Sequence, residues 1–321
     1  MSDRAAEIGR FLAPTVWAEW ENVPIAGDAS ARRYGRLCHA GQSVILMDDP
    51  SAPQSTVPFV NVARYLQREG LCPPHILAHD PDAGLMVISD LGDWDFARWL
   101  RRSPDDAEML YRAAIDVLLH LSGKVPDMDL PCLTPAQGGA MMAPLSHYAD
   151  GSIDDLAAAV TAAMVALLPP PDTIALRDFH AENLIWRPDH VGTDRVGLLD
   201  FQDAFITPPG YDLVSLLRDV RRDVSVDLVD RMTQYFADRA GIGHEIGPQL
   251  ACLGVQRNLR ILGVFARLAR VDGKRRYIEL IPRVWRNLLA DLAHPALGGV
   301  KAQVDRVLPA PEPSFLDTLR A

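Results

Sequence analysis

The chain has 321 residues, 48% hydrophobic and 23% charged, a balance that excludes wholesale disorder and leaves length enough for one or two domains with a large core. Its 42 Asp and Glu against 32 Lys and Arg give a formal net charge of −10, which argues against a general nucleic-acid or anionic-membrane binder, because both partners reward positive charge. The longest apolar run, Leu156 to Leu168, falls short of the roughly 20 residues a bilayer needs and stops at Pro169-Pro170-Pro171, so it reads as a buried helix. No secretory signal follows Met1-Ser2-Asp3-Arg4. Cys38, Cys72, Cys132 and Cys252 are scattered without a CxxC pair, so the expectation is a cytoplasmic protein with buried free thiols and neither zinc nor a disulfide framework.

In chain order, Arg33 to Cys38 and Ser43 to Met47 read as two strands flanking a turn at Ala40-Gly41. Val57 to Arg68 reads as a helix, with Phe59, Val62, Ala63 and Leu66 at helical spacing, Pro58 in the first turn and Gly70 as its stop. Leu85 to Ile88 is a short apolar strand running into Ser89-Asp90-Leu91-Gly92. Beyond Gly92 the pattern turns helical: Ala107 to Leu121, Asp154 to Leu168 with Ser152 as its cap, Asp227 to Ala240, Gly247 to Ala269 and Tyr277 to Leu292. An island of strand and loop, Thr173 to Ala204, interrupts them. The implied class is α+β, with a small mixed N-terminal lobe over 1–90 and a larger, mainly helical C-terminal lobe over 91–321; clefts between such lobes commonly hold ligands.

The island carries the chemistry. Leu176-Arg177-Asp178-Phe179-His180-Ala181-Glu182-Asn183 sets Asp178 and Asn183 five residues apart, the spacing of a phosphotransferase catalytic loop. Asp200 follows a short apolar strand, Val196 to Leu199. An aspartate suits the proton of an attacking hydroxyl, and an amide oxygen with a second carboxylate makes a hard-oxygen pair for Mg²⁺ on ATP phosphates. Alone, an Asp and an Asn at this spacing read as a loop and a turn. The order loop, strand, second Asp, helix is what makes the pattern specific.

These residues, with Leu199-Asp200-Phe201-Gln202-Asp203-Ala204 and Tyr211-Asp212-Leu213, resemble the aminoglycoside phosphotransferase/choline kinase-like superfamily. Gly27-Asp28-Ala29-Ser30, Arg32-Arg33-Tyr34, Val44-Ile45-Leu46-Met47-Asp48, Asp90-Leu91-Gly92-Asp93 and the stretch from Gln256 to Arg267 narrow the resemblance to the bacterial anomeric kinases of N-acetylmuramate and N-acetylglucosamine. It covers most of the chain. It implies a protein-kinase-like two-lobed fold, with an antiparallel sheet in the N-lobe, and transfer of the ATP γ-phosphoryl group to a sugar hydroxyl in cell-wall recycling. Asp178 would be the base, Asn183 and Asp200 would hold Mg²⁺, and Asp212 would brace the loop. Gly27, Asp28, Ala29 and Ser30 would lie over the ATP phosphates, and Ser89, Asp90 and Leu91 would meet the adenine edge. A small amino-sugar substrate is implied; no nucleic acid, membrane or obligate protein partner is.

Two departures stand out. Met47 occupies the strand position where kinase-like folds carry a phosphate-gripping lysine, which leaves Arg32 or Arg33 to supply that charge and keeps a nucleotide-binding pseudokinase as the alternative from another class. Leu176 replaces a histidine common in relatives. Other acceptors, such as an aminoglycoside, choline or homoserine, fit the superfamily motifs too, although the N-lobe motifs and the Gln256 to Arg267 stretch argue against them. His180 reads either as a loop hydrogen bond or as a substrate contact, and Asp203 as a contact to a sugar hydroxyl, a ligand to a second metal, or a residue with no part in the site. Arg257 reads as an acceptor contact or as part of a buried polar network. Arg218, Arg221 and Arg222, interleaved with Asp219 and Asp223, read as a solvated mixed-charge face or as a carboxylate site; Tyr277 and Trp285 read as packing or as sugar-stacking rings.

Overall fold

The computed structural model describes residues 3–25, 32–50, 56–243 and 245–320. The elements run α1 (Asp3–Leu12), β1 (Glu21–Ile25), β2 (Arg33–His39), β3 (Gln42–Asp48), α2 (Thr56–Arg68), β4 (Ile76–Asp80), β5 (Leu85–Ser89), α3 (Phe96–Arg102) and α4 (Ala107–Leu121). They continue with α5 (Pro135–Ala140), α6 (Asp154–Leu167), β6 (Thr173–Ala175), β7 (Leu184–Trp186), β8 (Val196–Leu198), β9 (Phe205–Thr207), α7 (Tyr211–Leu217), α8 (Val226–Ala240), α9 (Ile246–Arg270), α10 (Ile281–Leu292), α11 (Gly298–Val307) and α12 (Pro313–Thr318). The expected α+β composition, an antiparallel sheet early and helices thereafter, is what the chain adopts. Two compact units emerge, Met1–Val117 with Glu182–Ala204, and Leu118–Ala181 with Phe205–Ala321.

In the first unit five antiparallel strands lie in the order β1-β2-β3-β5-β4. The β2–β3 hairpin turns at Ala40 and Gly41, with φ of 48° and 77°, the two left-handed residues a tight hairpin requires. Side chains alternate between faces along each strand, so the pairing register sorts the residues. Leu37, Val44, Leu46 and Val87 share the face that packs on Leu12, Ile8 and Phe11 of α1. Tyr34, Arg36, Ile45, Met47, Met86 and Ile88 share the other face. The β7–β8 hairpin belongs to this unit: Cys72 bridges to Gly197, Asp95 to Ile185, and Phe201 stacks on Phe59 of α2 at 4.8 Å.

The second unit is built on α9, which is buried along most of its length and packs against α10 and α6. Gly263 lets it lie directly on the backbone of Pro144 and Leu145. β6 and β9 form a short antiparallel ladder that leads into the loop ahead of α7. Among the described residues, no helix is long and apolar enough to cross a membrane.

Three expectations need correction. Tyr277 to Leu292 is not one helix: a 3-10 segment, Arg275–Leu280, precedes α10, and Pro282, which has no N–H to give and clashes with the preceding turn, sits at the start of the new helix. Ser152 lies one residue before the cap position of α6, where its hydroxyl accepts the Asp154 N–H at 3.2 Å. Of the free thiols only Cys72 and Cys252 are buried; Cys132 is exposed and Cys38 half-buried.

Candidate active site

The first unit gathers the residues expected at the phosphate end of a nucleotide. The β7–β8 ladder extends through Leu199, whose N–H donates to the Asn183 carbonyl at 3.0 Å, so Asn183 lies opposite Leu199 and Asp200 follows directly. Asn183 Nδ2 lies 3.5 Å from Asp200 Oδ2, and Gln202 Nε2 donates to Asp200 Oδ1 at 2.9 Å. Asp200 takes a left-handed φ of 57°, anchored by the buried Phe201 beside it. The Asp200 carboxylate and the Asn183 amide lie side by side on an open rim, and their oxygens have the hard-ligand chemistry that Mg²⁺ takes. Asp203 is exposed beyond them.

Met47 is fully buried in the sheet and offers no charge. The face it occupies nevertheless carries a cation. Residues alternate, so Arg32 falls on the Met47 face and Arg33 on the opposite one. The contacts agree. Arg33 is exposed and lies 3.6 Å from Asp48, which Arg4 of α1 already engages at 2.5 Å. Arg32 is buried, with Nε 3.4 Å from Asp49 and Nη1 3.4 Å from the Tyr34 hydroxyl. Burial raises the Tyr34 phenol above its ordinary pKa, Arg32 opposes that, and the charge of Asp200 reaches it too. Arg32, Tyr34, Asp49 and Asp200 therefore form one electrostatic group.

At the other end of β5, Ser89 exchanges hydrogen bonds with His75, its hydroxyl accepting the His75 N–H and its own N–H donating to the His75 carbonyl, both at 2.8 Å. Asp90 binds Arg36 at 2.7 Å and Ser43 at 2.8 Å, and Leu91 packs on Gly197 of β8. Gly27, Asp28, Ala29 and Ser30 lie outside the described residues.

The second unit holds the loop with Asp178 and His180. Arg177 has φ 75° and the Asp178 N–H donates back to the Leu176 carbonyl at 3.0 Å, a three-residue γ-turn of the rarer, strained hand. Such a conformation costs roughly 1–3 kcal/mol and persists only where its surroundings hold it. Asp212, in the first turn of α7, accepts the Leu176 N–H at 2.5 Å and the Arg177 N–H at 2.9 Å. Burial pushes the Asp212 carboxyl up to about 7 even though both N–H bonds favour its ionised form. Ser215, one turn along α7, donates to the Arg177 carbonyl at 3.3 Å and accepts from Arg257 Nη2 at 2.8 Å.

His180 is buried, and its Nε2 sits 3.1 Å from Arg221 Nη1. Burial first, then the charges of Arg221 and Arg257, push its pKa well below the ordinary histidine value, so the ring is neutral and accepts. Asp219 is also buried and accepts the Ala181 N–H at 3.4 Å and the Arg221 N–H at 2.8 Å. The solvated face expected here is therefore not what forms: Asp219 points inward, Arg218 binds the buried Asp291 at 2.8 Å, and only Asp223, held by Arg283 and Arg286, is exposed. Tyr277 is core, packed on Phe265, and Trp285 stacks on Tyr148.

Comparison with known proteins bears on this arrangement. The model of the Phosphotransferase enzyme family matches residues 21–244. The chain belongs to this family. Among curated relatives, the N-acetylmuramate/N-acetylglucosamine kinase of Caulobacter vibrioides is 36% identical, over 96% of this chain and 98% of the relative. Among solved structures, a choline/ethanolamine kinase family protein from Mesorhizobium loti superposes with a TM-score of 0.65 at 15% identity, covering 94% of this chain and 99% of its own. A thermostable aminoglycoside phosphotransferase, solved with ADP and hygromycin B, superposes with a TM-score of 0.56 at 14% identity over 95% and 98% of the two chains. The kinase-like fold and the resemblance drawn from the Asp178 and Asp200 motifs both hold, and the chain is a phosphotransferase.

The motif spacing pointed to Asp178, Asn183 and Asp200, and the family resemblance to Asp212. Neither singled out Asp49 or Ser215; Tyr34 entered only within a resemblance motif and Asp219 only within a solvated face. Ser215 follows Asp212 by three residues, so the two share a helix face, and that spacing was the available signal.

Proposed function

We propose that the chain is an ATP-dependent sugar kinase that phosphorylates the anomeric hydroxyl of N-acetylmuramate or N-acetylglucosamine in cytoplasmic recycling of cell-wall sugars. The observation that carries the acceptor is similarity to a kinase named for those two sugars along nearly the whole of both chains. Residues 1–90 take the nucleotide, and 91–321 carry the catalytic loop and the acceptor. Ser89, Asp90 and Leu91 meet the adenine, Gly27 to Ser30 cover the phosphates, and Arg32, steadied by Asp49, grips them in place of a strand lysine.

Asp178 receives the acceptor. The sugar oxygen forms its bond to the γ-phosphorus as the bond to the β,γ-bridging oxygen breaks. ADP leaves with that electron pair, and the hydroxyl proton passes to the Asp178 carboxylate. An anomeric hydroxyl is more acidic than an ordinary alcohol, so the demand on the base is modest, against a usual contribution of about 10²–10⁴-fold. Asn183 and Asp200 would hold Mg²⁺, which would supply neutralisation of the phosphate charge.

The test is ADP release with Mg·ATP across N-acetylglucosamine, N-acetylmuramate, glucosamine, kanamycin and choline, with phosphorus NMR on any product. Turnover on the N-acetyl sugars with an anomeric phosphate supports the reading. Turnover confined to kanamycin or choline discards the sugar, and a phosphate on another hydroxyl discards the anomeric position.

A further inference from the structure

Outside the groups given roles so far, one chain of buried polar contacts ends on the backbone beside Asp178. It starts at Arg257, in the middle of α9, a residue only 4% exposed. Its guanidinium donates to the Ser215 hydroxyl, itself fully buried, and that hydroxyl donates to the Arg177 carbonyl. Arg177 is the left-handed residue on which the γ-turn pivots. Its N–H is held by Asp212 and its C=O by Ser215, so α7 grips both peptide groups that flank the left-handed Arg177 through two residues on one face.

We propose that Arg257 and Ser215 are positioning residues that set the aim of Asp178 by locking the Arg177 peptide. This rests on the kinase reading for what Asp178 does, and on the hydrogen bonds alone for what the pair does to the loop. A serine hydroxyl can rotate and donate elsewhere. The Arg257 donor occupies its lone pair and turns the proton toward the Arg177 carbonyl, so the arginine decides where the serine points. Without it the γ-turn keeps its Asp212 contacts but can relax about ψ of Arg177, which swings the Asp178 side chain. A displacement near 1 Å at a reacting group costs on the order of 10²-fold in rate. Because the two side chains act in series, losing either loses the same thing.

The experiment compares Ser215→Ala, Arg257→Met, Arg257→Lys and the double variant Ser215→Ala/Arg257→Met. The expected result is a kcat lowered about 10- to 100-fold in each of the first two, with KM for ATP and for the sugar within about twofold of the parent. The double variant is expected to be no slower than the slower single, and Arg257→Lys, which keeps a donor, to recover part of the loss. Hydrogen–deuterium exchange of the amides of residues 176–180 provides a readout that needs no acceptor. Exchange there rises in Ser215→Ala while α9 stays protected.

Unchanged kcat in a folded Ser215→Ala overturns the proposal. So do effects that multiply in the double variant, or an acceptor KM raised by Arg257→Met alone, which would make Arg257 an acceptor contact. Should the parent phosphorylate none of the sugars, the exchange result decides: faster exchange supports the lock while the acceptor reading falls, and unchanged exchange removes the lock as well.

Discussion

Asp212 places a titrating carboxyl under the loop that carries Asp178. Burial holds its proton in the folded protein up to about 7, whereas an unfolded chain releases it near 4. Between those values the folded state binds the extra proton, so this contribution to stability is complete below pH 4 and is lost as pH rises to 7. Asp291, pushed up to about 6 by burial against the pull of Arg218, contributes in the same direction. Urea unfolding of the parent and of Asp212→Asn from pH 4.5 to 7.5 should give a shallower decline in the variant; identical slopes would show that Asp212 titrates alike in both states. Arg32 and Arg33 are separated by sheet face alone. Arg32→Met should raise KM for ATP about 10- to 100-fold, the usual value of a charged hydrogen bond, while Arg33→Met stays within about twofold. Equal effects would mean that face assignment does not decide which cation reaches the nucleotide.

At the level of elements, α9 lies so close to the Pro144–Leu145 backbone that a single methyl would disturb the packing. A Cβ at Gly263 would land on the backbone of Pro144 and Leu145, which cannot step aside, whereas a Cβ at Gly138 meets the flexible thioether of Met164. Gly263→Ala should therefore cost about 3 kcal/mol, at the upper end for overpacking, and clearly more than Gly138→Ala; thermal melts showing the reverse order would refute the packing argument. The elements easiest to foresee were those whose burial follows their own pattern: α4 has the expected limits, and β2, β3, α2 and α9 differ by a residue or so. β1 was not legible. All five of its residues are exposed and one is Pro24, so nothing in Glu-Asn-Val-Pro-Ile signals a strand; its pairing with β2 at the sheet edge creates it. The site divides the same way. Asp178, Asn183 and Asp200 were readable because their spacing is local. Asp49 acquires meaning only beside Arg32, and Ser215 only beside Arg257, 42 residues away, and no window of sequence brings those pairs together.

Over the whole molecule, the unit that begins the chain is not finished where it first ends. The β7–β8 hairpin supplies the first unit with Asn183, Asp200 and the Phe201 ring that stacks on α2. A fragment ending at residue 117 should therefore fail to fold cooperatively, and one carrying residues 182–204 on a flexible linker should recover a cooperative melt; a stable, cooperative 1–117 would contradict this. During synthesis the same arrangement imposes an order of events. The early sheet emerges from the ribosome and then waits while residues 118–204 are added, about 4–17 s at 5–20 residues per second. For that interval Phe59 and its neighbours on α2 lack their cover, and the nascent chain is open to proteases and dependent on chaperones. Nascent chains stalled at about residue 160 should be cleaved by a protease that spares those stalled at about residue 260.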